Sequence, residues 1–192
     1  RETSGTRSVP DAASAVEGQG RSIMKIKGAM PTTEGIVVPE SLADRIDVRC
    51  TAKLRDYETK AINLALTVTA QQFAYEKPVI RNRALLAFIP GFTLSMSLDG
   101  DELGMTKSML VFPLRQWREI ADNDPDIPCF AVMEEMCHCF YGIADETEVK
   151  KKVVGIVRRF IKQSVTFEQV FPGWDCETSS LRSSTGDHRP RN

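Results

Sequence analysis

The motif EEMCH, residues 134–138, contains the residue types best suited to chemistry in this chain. Its two carboxylates and its imidazole stand in the otherwise largely apolar run CFAVMEEMCHCFY, which predicts a helix over residues 128–142. Residues four apart lie on one face of a helix, so Glu134 and His138 can converge on one cation with Glu135 beside them. This spacing predicts a metal site.

The apolar surroundings of the motif make its polar side chains costly. A helix that is apolar on every side is expected to be buried, and burying an unpaired polar or charged group is unfavourable. One compensation is a bound metal ion. The other is a structural cluster satisfied within the protein, for example by Arg81 and Arg83 or by a strand edge. The sequence leaves both open.

The order Glu-Glu-x-x-His resembles the HExxH motif of zincin metallopeptidases, with Glu134 in place of the first histidine. The resemblance implies that Glu134 and His138 are metal ligands and that Glu135 is the catalytic general base towards a metal-activated water. It implies one divalent metal ion, with zinc in first place and manganese or iron as alternatives, because the site is rich in carboxylates. The implied function is a metal-dependent peptidase or hydrolase, whose peptide substrate would bind along the edge of the strand near residues 109–112.

A third metal ligand is expected, and two residues that follow Gly142 are candidates. Asp145 loosely matches the zincin spacing HExxHxxGxxD, with one residue inserted before the glycine, but it is equally suited to cap the next helix. Glu146 matches zincins that take a glutamate from the next helix, because it lies on the same helical stripe as Val149 and Val153. Its alternative role is that of a first-turn acid at a helix N-terminus.

Composition narrows the class of protein. The formal net charge is −1 with acids and bases well mixed, so the chain lacks the broad basic surface that binds nucleic acid. Its sequence has no apolar run near the roughly 20 residues that span a bilayer. Five cysteines without CxxC spacing argue against a disulfide framework and indicate reduced thiols in a cytoplasmic, soluble protein. Cys137, His138 and Cys139 point in different directions on a helix and are not expected to share an ion.

The domain limits follow from composition. The Ser- and Gly-rich ends, residues 1–22 and 175–192, are predicted to be disordered tails. A single domain is expected over residues 23–174. The predicted fold class is α+β, a small mostly antiparallel sheet packed with helices in a zincin-like arrangement.

Apolar patterns and turn signals place the elements of that domain. The predicted elements are a helix within 41–77, two antiparallel strands at Ala84–Ile89 and Phe92–Leu98 before the turn Asp99-Gly100, a third strand at 108–112, a brief helix marked by Leu114, Trp117 and Ile120, and helices at 128–142 and from Asp145 to about Lys162. In the last helix, the valine stripe is expected to face the core and Lys150, Lys151 and Lys152 the solvent.

A second function stays open beside the metallopeptidase. The chain could be a non-catalytic protein-binding or structural protein that keeps a zincin-like fold and uses its carboxylate–histidine cluster for packing. A charge near zero would suit a protein partner or a homodimer. The two functions differ in whether Glu134, His138 and a third acid converge with an open coordination position.

Overall fold

The structure is a computed structural model that describes residues 25–26, 35–80, 82–91, 93, 96–97, 107–121 and 124–174. The predicted tails and the predicted turn at Asp99-Gly100 lie outside these residues. The strands are β1 (Lys25–Ile26), β2 (Ile46–Cys50), β3 (Arg83–Ile89), β4 (Met96–Ser97) and β5 (Lys107–Pro113). The helices are α1 (Asp56–Glu76), α2 (Leu114–Ile120), α3 (Asp126–Tyr141), α4 (Glu146–Phe160) and the short α5 (Phe167–Val170), and a 3-10 turn spans Glu40–Leu42.

The main sheet has three strands in the order β2-β3-β5, and both pairings are parallel. In the register, Val48 and Leu110 flank Leu86. Two residues further along the strands, Cys50 and Phe112 flank Phe88. These side chains share one face of the sheet and belong to the main hydrophobic core.

The predicted antiparallel sheet is therefore wrong. The strand at 84–89 does not pair with β4, the part of the predicted strand Phe92–Leu98 that is described as a strand; β4 pairs instead with β1, in a separate two-stranded antiparallel ladder. The physical reason is visible in β3, whose residues 84–89 are all buried. A strand buried on both faces has a continuous apolar sequence, which is typical of the centre of a parallel sheet. The alternating strand β2 was missed by the sequence analysis.

Helix α1 joins β2 to β3, as a parallel connection requires, and confirms the helix predicted within 41–77. It packs against α3, which also contacts α4 and β5. Phe73 of α1 meets Phe140 of α3 edge to face, with 5.4 Å between ring centroids. Asn82 Nδ2 donates to the carbonyl oxygen of Cys139 at 3.0 Å, which ties the end of α3 to the chain entering β3.

The remaining helices and the strand before them confirm the predicted elements in outline. Strand β5 ends at Pro113, and α2 follows with Leu114 and Trp117 buried. Ile120 was expected on the buried side of this helix, but it is 56% exposed and lies outside the core. Helices α3 and α4 occur where the sequence placed them. None of the helices in the described part of the chain is long and apolar enough to cross a membrane.

Candidate metal site

The motif lies on the least buried side of α3. Ala131, Glu134, His138 and Tyr141 are partly exposed and Glu135 is exposed, whereas most of the other residues between Cys129 and Tyr141 are buried. Ala131, Glu134, His138 and Tyr141 recur every three or four residues and, with Glu135 beside them, form one stripe. The predicted burial of this helix on every side is therefore wrong for this stripe. The polar residues of the motif thus lie together where α3 faces α4 and the solvent.

The end of α3 fixes the orientation of His138. Gly142 ends the helix with φ 64°, in the left-handed region that favours glycine. The chain then turns so that the carbonyl oxygen of Ile143 lies 2.5 Å from His138 Nδ1. A carbonyl oxygen only accepts hydrogen bonds, so Nδ1 carries a proton. In the neutral ring this leaves the lone pair on Nε2, as in metal-binding histidines whose other nitrogen donates to a backbone carbonyl.

Helix α4 brings Glu146 to this histidine. Asp145 is the N-cap of α4, and its side chain accepts from the backbone N–H of Glu148 at 2.8 Å. Glu146 is the first residue of the helix, and its Oε1 lies 3.7 Å from His138 Nε2. One ligand atom from each of Glu134, His138 and Glu146 lies within 4.8 Å of the other two. We call these three residues the Glu134–His138–Glu146 cluster.

Of the two candidates for third ligand, the structure brings Glu146 to the cluster. Asp145 instead caps α4, which is the alternative role that its sequence position allowed. Donors that share one zinc lie about 3.4 Å apart when the metal–donor distances are about 2.1 Å. The 3.7 Å between His138 Nε2 and Glu146 Oε1 is close to this spacing, whereas the 4.8 Å limit for all three atoms is wider, so the side chains would draw together around an ion. The donor set of two carboxylates and one imidazole suits zinc and, with its high oxygen content, manganese or iron.

Lys150 is part of the same group of side chains, contrary to the expectation that it faces solvent. It is only 7% exposed. Its ammonium group donates to Glu134 Oε1 and, at 3.2 Å, to Glu146 Oε2. The two oxygens of Glu146 are thus divided between Lys150 and His138. Lys150 supplies a positive charge at the position where a metal ion would bind Glu134.

Aromatic rings from the segment that follows α5 cover Lys150. Its Nζ lies 4.3 Å from the ring centroid of Trp174 and 5.1 Å from that of Phe171. A cation over an aromatic face is attracted by the negative face of the ring. The Nε1 atom of Trp174 is buried and has no hydrogen-bond partner among the described residues.

The contacts of Lys150 with the carboxylates and the aromatic rings were not predicted from the sequence, although its position on α4 indicated that it could be buried. Lys150 is four residues after Glu146 and three before Val153, so it shares the core-facing stripe of α4. Of the two arginines proposed to satisfy the cluster, Arg81 lies outside the described residues, and Arg83 is exposed at the start of β3. Lys150 takes that role.

Glu135 is the neighbour of the cluster that the resemblance assigns as general base. Although Glu135 as a whole is exposed, the protein around its carboxyl group removes part of the surrounding water, and this partial desolvation is the largest effect that raises its pKa above the usual range. The imidazole of His138 acts in the opposite direction, and the carboxylates of Glu134 and Glu146 raise the pKa further. A raised pKa brings a carboxyl group closer to the range in which it exchanges a proton at neutral pH.

No family model, curated protein or solved structure matches this chain. Its function is therefore inferred from its own residues and their geometry.

Proposed function

We propose that this chain is a metal-dependent hydrolase with a zincin-like site, in which Glu134, His138 and Glu146 hold one divalent ion. The observation that supports this is the convergence of their three ligand atoms within 4.8 Å, from two helices. The hydrogen bond from His138 Nδ1 to Ile143 adds to it, because it orients Nε2 towards Glu146. Zinc bound there would supply a Lewis acid and activate water for hydrolysis.

In this proposal the residues of the chain have separate tasks. Glu134, His138 and Glu146 bind and orient the ion. Glu135 accepts a proton from the attacking water and later delivers it to the leaving group, as a general base and then a general acid. The substrate we propose is an extended peptide paired with β5, which contacts α3 and which among the described residues pairs only with β3.

The first test is the metal content of the purified 192-residue chain by elemental analysis. We expect about one zinc, manganese or iron per chain, as one such site holds, and its loss in Glu134→Gln, His138→Ala and Glu146→Gln. Glu148→Gln is the matched control, because Glu148 is an exposed acid on the same first turn of α4. A metal-free protein that binds no added zinc would contradict the proposal, as would equal metal in all variants.

The hydrolase step needs a separate test. Glu135→Gln is expected to keep the metal and to lose at least about 100-fold of the hydrolysis of casein or of a peptide library, the scale of general acid–base catalysis. Activity equal to that of the wild type would remove Glu135 from the reaction.

Lys150 favours a second candidate, a non-catalytic protein-binding or structural protein. Its ammonium group already neutralises one of the two carboxylate charges of the cluster, so packing needs no metal. Under this proposal the purified chain contains no metal, and added zinc leaves the unfolding temperature unchanged.

A further inference from the structure

The proposed metal site leaves one feature unexplained. Lys150 is buried next to Glu134 and Glu146, two of the side chains that would bind the ion. Lys150 contacts the same carboxylates that the metal would need, and it reaches them from one turn along α4. The cluster carries two negative charges from Glu134 and Glu146, of which Lys150 offsets one. A divalent ion beside a retained ammonium group would place like charges a few ångströms apart, which is unfavourable.

The aromatic rings packed against the ammonium group of Lys150 indicate what holds it in this position. Trp174 and Phe171 lie after α5, so a separate segment of the chain closes over the lysine stem and its ammonium group. The chain that leads into α5 is tied to α4, since Arg158 Nε donates to the carbonyl oxygen of Val165 at 2.9 Å. Lysine has a flexible four-carbon side chain, so its ammonium group can leave the carboxylates without movement of α4.

We propose that Lys150 is a built-in competitor for the metal site, held there by Phe171 and Trp174. This inference rests on the proposed metal function and names the regulation of that site. In the state described here Lys150 closes the cluster. When a divalent ion binds Glu134, His138 and Glu146, the ammonium group leaves the carboxylates and its contact with the Trp174 ring changes. Metal affinity is therefore limited by how firmly the lysine is held.

The test is calorimetric titration of the metal-stripped 192-residue chain with zinc chloride. Lys150→Met keeps the apolar stem and removes the charge, and it is expected to bind zinc at least tenfold more tightly than the wild type. Lys151→Met is the matched control, because Lys151 is its exposed neighbour on α4, and it is expected to bind like the wild type. Equal or weaker zinc binding by Lys150→Met, with binding by the wild type, would overturn this inference and leave the metal site standing. Absence of zinc binding in both would overturn the metal site as well.

A second measurement covers the case in which Lys150→Met fails to fold, as judged by circular dichroism. Trp174→Leu removes the larger contact on the ammonium group while all four charged or ligating side chains remain, so it is expected to raise zinc affinity severalfold. Zinc is also expected to change the tryptophan fluorescence of the wild type and not that of Trp174→Phe, which retains only Trp117. Unchanged affinity in Trp174→Leu together with a zinc response that persists in Trp174→Phe would overturn the role of this segment.

Discussion

His138 donates its Nδ1 proton to the carbonyl oxygen of Ile143 across 2.5 Å. This contact joins the end of α3 to the turn that leads into α4, and it leaves Nε2 directed at Glu146. The relationship matters because it determines which nitrogen of the ring can bind a metal ion.

We expect neutral His138 to be the Nδ1–H tautomer. The measurement is a long-range ¹H–¹⁵N correlation spectrum of the imidazole nitrogens at neutral or higher pH. The chain has two histidines, so a His188→Asn variant assigns the signal. A protonated Nε2 in the neutral ring would contradict the hydrogen bond to Ile143.

Asp145 and Glu146 are adjacent, and we expect their substitutions to have opposite effects. Asp145→Ala removes the N-cap of α4 and should cost about 1 kcal/mol of stability with zinc affinity unchanged. Glu146→Gln should abolish zinc binding and leave stability nearly unchanged, since Glu146 is exposed. Urea unfolding and zinc titration of both variants check this. Loss of zinc binding in Asp145→Ala at full folding would make Asp145 the third ligand.

Gly142 and Gly155 form a second pair with opposite expectations. Gly142 has φ 64°, so Gly142→Ala places a Cβ in a strained backbone and should destabilise the protein by about 1–2 kcal/mol. Gly155 lies within α4, and a Cβ built there meets nothing within 4 Å. Gly155→Ala should therefore stabilise the helix by about 0.5–1 kcal/mol. Thermal unfolding of both variants is the measurement, and the same sign for both would be inconsistent with these backbone conformations.

The ion pair of Glu58 and Arg118 joins α1 to α2. Glu58 is fully buried, and its carboxylate accepts from Arg118 Nε at 2.7 Å and from the backbone N–H of Arg55 at 2.6 Å. Arg118→Met leaves this buried carboxylate without its cation, so we expect a loss of about 3 kcal/mol in the free energy of unfolding.

Arg115→Met on the same helix is the control for that prediction. It breaks only the exposed pair with Glu119 and should cost less than about 0.5 kcal/mol. Equal losses of unfolding free energy in the two arginine variants would show that the burial of Glu58 does not make its ion pair more stabilising than an exposed one.

The buried cysteines are expected to resist labelling in the folded chain. Burial raises the pKa of Cys129 and of Cys137 to about 12 and that of Cys50 to about 11, so the reactive thiolate is scarce at pH 8. In a Cys176→Ser background, iodoacetamide should modify these three thiols only after unfolding. Because their folded pKa values are raised, the folded chain keeps protons that the unfolded chain loses above about pH 8.5, and stability should fall as the pH rises beyond that value. Rapid labelling under native conditions would contradict their burial.

The sequence predicted the helices better than the sheet. The spacing of Ala61, Leu64, Ala65 and Val68 favoured the helix α1, although Leu64 is 36% exposed and the alternation at residues 66–69 also fitted a strand. Gly142 marked the end of α3. The direction of β3 was not predictable from the turn residues near it, because a strand takes its partners from distant segments. The continuous apolar run at residues 84–89 was the better signal for a central parallel strand, but this run was interpreted as one strand of a hairpin.

The candidate site was predictable in its helical part only. Spacing placed Glu134 and His138 on one face, and the sequence left Asp145 and Glu146 as alternative third ligands without deciding between them. The contact of Lys150 with Trp174 depends on where the chain returns after α5, which no local pattern encodes. The charge of Lys150 also suggested a surface position, since most lysines are exposed; here its stem is buried beneath aromatic rings and its charge is paired.

Strand β3 has backbone partners on both sides and apolar side chains on both faces. Its amide protons are therefore expected to exchange with deuterated solvent only when the whole domain unfolds. Helix α4 carries a mainly charged outer face, so its exposed amides should exchange through smaller openings. If so, deuterium uptake would separate two levels of protection within one domain, and the first turn of α4, which carries Glu146, would gain protection on adding zinc while β3 stayed unchanged.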